Sequence, residues 1–152
     1  MKPFAPARRI ACMLVLLLLL LPGALSGKER LAGTPPPGSS ERREILDALR
    51  KEIFRLHRLD VVFVVGFLKA QDGWAWAETL PQSPDGRSRY EGVSALLRKS
   101  GGRWRIAELA CSEPDNPECL DSPDYFRKLN MRFPALPVSV LPPGSATGGT
   151  GK

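Results

Sequence analysis

Val61-Val62-Phe63-Val64-Val65-Gly66-Phe67-Leu68-Lys69-Ala70-Gln71-Asp72-Gly73-Trp74-Ala75-Trp76-Ala77-Glu78-Thr79-Leu80 is the stretch that decides the fold. Its first half is dominated by β-branched and aromatic residues, which suit a pleated, half-buried surface, so a strand is expected from Val61 to about Ala70. Asp72-Gly73 supplies a two-residue turn of the kind that needs positive φ, and Trp74 to Leu80 returns beside the first strand.

Downstream, Pro81-Gln82-Ser83-Pro84-Asp85-Gly86 is a dense run of turn formers and reads as a loop. Tyr90 to Lys99 and Arg103 to Ala110 then form a second hairpin around Gly101-Gly102. Upstream, Ser39 or Ser40 caps a helix from Glu41 to about His57. Ile45, Leu49, Ile53 and Leu56 make its apolar stripe, which Leu46 and Phe54 widen. The opposite face carries Arg43–Asp47 and Asp47–Lys51 at i,i+4, a solvated charge run. After the hairpins, Ser122-Pro123-Asp124 starts a short helix with Phe126, Leu129 and Phe133 on one face, and Val138-Ser139-Val140 reads as a last edge strand.

The expected fold is therefore α+β: one N-terminal amphipathic helix packed on a four-stranded antiparallel meander, plus a short C-terminal helix. It occupies residues 41–141. Residues 27–40 are a Pro/Gly/Ser linker and 142–152 a Gly/Ser/Thr-rich tail, both expected to be disordered.

Residues 1–26 read as a signal peptide. Lys2, Arg8 and Arg9 precede an apolar run from Ile10 to Leu21, and small residues follow at Ala24-Leu25-Ser26. The run is well short of the roughly 20 residues that span a bilayer, so no stable membrane span is expected after cleavage. Removal of this leader takes the 22 basic residues to 19 against 16 acidic ones, a net charge of +3. That value is no signature of a nucleic-acid binder, and nucleic acid is not an expected partner. The implied location is periplasmic or secreted. There, Cys111 and Cys119 are expected to pair as a disulfide.

Several motifs together resemble a family of small, uncharacterised exported bacterial proteins. They are Ile45-Leu46-Asp47-Ala48-Leu49-Arg50, the valine-rich strand, Gly73-Trp74-Ala75-Trp76, Pro81-Gln82, Pro84-Asp85-Gly86, Leu96-Leu97-Arg98-Lys99 and Gly102-Arg103-Trp104-Arg105. The resemblance covers about Ile45 to Leu109 and implies export and compactness, with no activity and no catalytic residues to carry over. The element order is also similar to cystatin-like and NTF2-like rolls, an analogy of fold alone.

Chemistry-bearing residues are few. Trp74-Ala75-Trp76-Ala77-Glu78 is echoed by Trp104-Arg105-Ile106-Ala107-Glu108. Plain alternation places each tryptophan with its glutamate on one face. In a simple meander Glu78 and Glu108 lie two strands apart, about 10 Å, where they could act as a carboxylate pair in an aromatic-lined concavity. The expectation preferred over that is a core: Val65, Phe67 and Lys69 join Trp74, Trp76 and Glu78 on one face, which packs on the N-terminal helix.

Arg87, Arg89, Arg98, Lys99, Arg103 and Arg105 form a basic cluster, with Arg98 and Arg105 opposed across the second hairpin and Tyr90 and Trp104 nearby. Arg98, Arg105, Trp104 and Tyr90 are the candidate binding residues, suited to an anionic envelope polymer or an acidic protein. The acidic loop Glu113, Asp115, Glu118, Asp121 and Asp124 is a second candidate surface. It lacks the ligand alternation and mid-loop glycine of an EF-hand, so no metal is expected. No cofactor is implied. His57 reads as a basic residue complementing a helix C-terminus. No Gly-x-Ser-x-Gly, phosphate loop, dinucleotide fingerprint or His-Glu-x-x-His occurs. The expected function is that of an exported, non-enzymatic domain that binds a protein or envelope component; a small hydrolase or ligand-binding roll using Glu78 and Glu108 is the alternative.

Overall fold

The computed structural model describes residues 32–113, 116 and 118–145. Residues 1–26, expected to be a signal peptide, residues 27–31 of the linker, Asp115 of the acidic loop and 146–152 of the tail lie outside the described residues. Helix α1 spans Ser40–His57. The strands β1 (Val62–Gln71), β2 (Trp74–Gln82), β3 (Val93–Ser100) and β4 (Arg103–Ala110) follow, then helix α2 (Tyr125–Arg132) and a 3-10 turn at Val138–Val140. The strands form one antiparallel meander in the order β1-β2-β3-β4. Among the described residues no helix is long and apolar enough to cross a membrane.

Ser39 caps α1, its hydroxyl accepting the Arg42 N–H at 3.3 Å. Arg58 closes the helix in the left-handed region, its N–H donating to the Phe54 carbonyl at 2.9 Å. Asp72 and Gly73 both have positive φ (51° and 76°), the geometry that matches a tight turn to the twist of its strands.

Two bulges set the faces of the sheet. Gly66 in β1 and Ala107 in β4 are extra residues without a cross-strand partner, at register shifts between Val65 and Phe67 and opposite Leu96 and Leu97. Each bulge reverses which residues of its strand face which side. Val65 therefore leaves the tryptophan face on which plain alternation put it. Trp104 and Ile106 likewise part from Glu108, so the echoed motif is not an echo in space.

The side of the sheet that meets α1 is the small one. Ala75, Ala77 and Ala95 are fully buried beneath Ile45, Leu49 and Ile53, with Leu68, Leu97 and Trp104 around them. The alanines leave room for the branched side chains of the helix. Trp74 and Trp76 point the other way, contrary to the expectation that they pack on α1. They are covered by a C-terminal layer made of Tyr125, Leu129, Leu136, Val140 and Leu141. The molecule has three layers, with a core on each side of the sheet.

Smaller expectations also change. Phe54 and Leu56, assigned to the buried stripe, are 50% and 45% exposed. Phe54 lies under the Arg58 guanidinium, 5.8 Å away, and Leu56 walls an open groove beside β4. Asp47 pairs with Arg50 at i,i+3 rather than with Arg43 or Lys51. Val138–Val140 is a 3-10 turn, not an edge strand. β3 begins at Val93 rather than Tyr90.

The linker and tail expected to be disordered are ordered where they are described. Gly33 exchanges backbone hydrogen bonds of 3.2 and 2.9 Å with Ala70, and Pro35 is buried, its carbonyl accepting from Arg42 at 3.2 Å. Proline brings no N–H that packing could strand, which suits it to this approach. Buried Leu141 anchors the other end, and the Ser145 N–H donates to the Pro142 carbonyl at 3.2 Å.

Cys111 and Cys119 form a disulfide, with Cα atoms 4.7 Å apart. It ties the end of β4 to the segment leading into α2, where the Leu120 N–H also donates to the Cys111 carbonyl at 2.8 Å. The closed loop is short, so Cys111→Ser is expected to lower stability by about 1–3 kcal/mol, measured by denaturant unfolding. Two free thiols in protein from its native compartment would contradict the bond.

Candidate functional site

Glu78 and Glu108 do share a sheet face. Their partners on β3 are Ser94 and Leu96, two residues apart on the same side. The concavity between them is filled. Trp76 is 0% exposed, with Tyr125 and Phe126 edge-on at centroid distances of 6.3 and 5.4 Å. Trp74 meets Phe133 at 5.6 Å.

Both carboxylates are engaged. Glu78 accepts the Trp76 indole N–H at 3.1 Å. Glu108 accepts the Tyr125 hydroxyl and the Arg132 guanidinium, each at 2.7 Å. Burial, reinforced by the hydrogen bond and charge of Glu108, holds the Tyr125 phenol above its ordinary titration range. The phenol is thus kept as a hydrogen-bond donor. This arrangement buckles the C-terminal layer to the sheet and leaves no open carboxylate pair at this position.

Of the four candidate binding residues, the structure keeps Arg98 and Arg105 together and separates them from the other two. Arg98 and Arg105 are cross-strand partners on the face opposite α1. The Arg98 guanidinium lies 4.9 Å from the Trp74 ring, a cation–π contact that orients it. Neither arginine has an acidic partner among the described residues. Trp104 is buried on the α1 side beneath Lys99, which pairs with Glu44 at 3.1 Å. Tyr90 lines an apolar cavity of about 290 Å³ at the end of α1, with Leu59, Val61 and Val93. No aromatic and basic platform is formed, because the sheet lies between its parts.

No protein-family model matches this chain, no curated protein matches it, and no solved structure matches its fold. Among the described residues no group of three or more His, Cys, Asp or Glu side chains is placed to hold a metal ion. His57 is exposed at the last turn of α1, beside Arg55.

Two features escaped the sequence reading. Tyr125 follows a helix-start signal and carries no pattern of its own that points to Glu108. The other is an open groove of about 690 Å³ between α1 and the outer edge of β4. The sequence does not mark it, since Leu56, which walls it, reads as part of the apolar stripe.

Proposed function

We propose that the chain is exported and serves there as a non-catalytic domain that binds a protein partner. The basic, apolar, small order of residues 1–26, the Cys111–Cys119 bond and the resemblance to small exported bacterial proteins support the location. The observation that carries the binding role is the filled aromatic face. Trp76 and the two glutamates, the residues from which acid–base chemistry would be built, are consumed by packing and internal hydrogen bonds. Groups without an acidic or strand partner among the described residues are on the outside: Arg98, Arg105 and the edge of β4.

Affinity capture from an envelope fraction tests this reading. Wild type and Glu78→Gln are expected to retain the same protein in the same amount. A Glu78→Gln variant that folds normally but loses its interaction, or its turnover of a small substrate, would favour the hydrolase or ligand-binding roll instead.

A further inference from the structure

β4 is an edge strand, and none of the described residues pairs with its outer side. Six consecutive residues, 104–109, form one wall of the groove beside it. Side chains alternate between faces along a strand, so a wall of consecutive residues is the strand seen edge-on. The facing wall is Ala48, Lys51, Glu52, Arg55 and Leu56, a single stripe of α1 at helical spacing. Ser100 and Arg103 close the Gly101-Gly102 turn, so alternation turns the N–H and C=O groups of Trp104 and Ile106 outward. Past the Ala107 bulge, Leu109 takes the same orientation. The groove thus combines unpaired strand hydrogen-bonding groups with a helical wall, which is what an added strand requires.

Its charges are not balanced. Glu52 is taken by Arg55 at 2.6 Å, and Glu108 by Tyr125 and Arg132. Lys51 on the helical wall and Arg105 on β4 have no acidic partner among the described residues. A strand added to β4 would alternate its side chains between the α1 side, toward Lys51, and the opposite face, beside Arg105. The outer edge of β1 is occupied at one end, where Gly33 pairs with Ala70 and three prolines follow at 35–37.

We propose that the groove between α1 and β4 accepts an extended acidic segment of a partner protein as a fifth strand of the sheet. This rests on the protein-binding role above and names how the partner is held. The test uses the exported protein and two labelled decapeptides, one alternating glutamate with threonine and one alternating lysine with threonine, followed by fluorescence anisotropy and amide exchange. The glutamate peptide is expected to bind and the lysine peptide not to. Binding should slow exchange at the Trp104, Ile106 and Leu109 amides but not at Arg103 or Arg105, whose amides already bond to β3. Lys51→Glu and Arg105→Glu should each weaken binding about fivefold or more, one attraction having become a repulsion, from the helical wall for Lys51 and across strands for Arg105. Protection at the Arg98 face or the β1 edge instead would overturn the groove while leaving a protein-binding domain. Failure of the glutamate peptide to bind at millimolar concentration would also overturn it, with envelope capture still deciding the broader role.

Discussion

Trp76→Ala is expected to destabilise the protein by about 3–5 kcal/mol, because it empties a fully buried indole site between the sheet and the C-terminal layer. The loss comprises burial of the ring, its edge contacts with Tyr125 and Phe126, and a cavity that the alanine side of the sheet cannot collapse to fill. Glu78→Gln supplies the contrast. The amide oxygen still accepts the Trp76 indole N–H, so the change should stay within about 1 kcal/mol. Denaturant unfolding of the two variants beside wild type reads the difference. Equal stability of Trp76→Ala and wild type would mean the indole is not in a core.

Glu108→Ala should cost about 2–4 kcal/mol, since it strands the buried Tyr125 hydroxyl and removes a charge-assisted hydrogen bond. The half-exposed Arg132 adds little, its ion pair being open to water. The same contact has a pH signature. The folded state keeps the Tyr125 proton above the ordinary phenol value of 10.0, so the unfolded chain loses it first as pH rises. Its contribution is full below about pH 10 and declines as pH climbs toward the folded value. Tyr125→Phe should remove that part of the alkaline decline. Parallel stability–pH curves for wild type and Tyr125→Phe above pH 10 would contradict the clamp.

The elements were legible in the sequence because each has a local cause. Ser39, the Ile45-Leu49-Ile53 stripe, Asp72-Gly73 and Gly101-Gly102 act within a few residues, and these hairpins lie in the expected places. The faces were not legible, since two single-residue bulges decide them. Gly66 and Ala107 are unremarkable as residue types, yet each moves the remainder of its strand to the other side. The Trp-Ala-Trp-Ala alternation held a clue that volume could have supplied: a helix bearing Ile45, Leu49 and Ile53 fits over alanines, and tryptophans need a separate cover. That cover comes from residues 125–141, whose short helix and 3-10 turn give too little periodicity to show which face they close. Of the candidate site, the Arg98–Arg105 opposition followed from hairpin register alone. The groove could not be read, because it arises where a helix and a sheet edge meet across distant parts of the chain.

The aromatic face is a closed core between the sheet and the C-terminal layer. Hydrogen exchange at the three tryptophan indole N–H groups, followed by NMR on the native protein, tests it most directly. The Trp76 indole proton is fully buried and bonded to Glu78, so its exchange is expected to be slow and to quicken only on unfolding. Exchange of that proton as fast as in a free indole would show the face to be open to water and not a core.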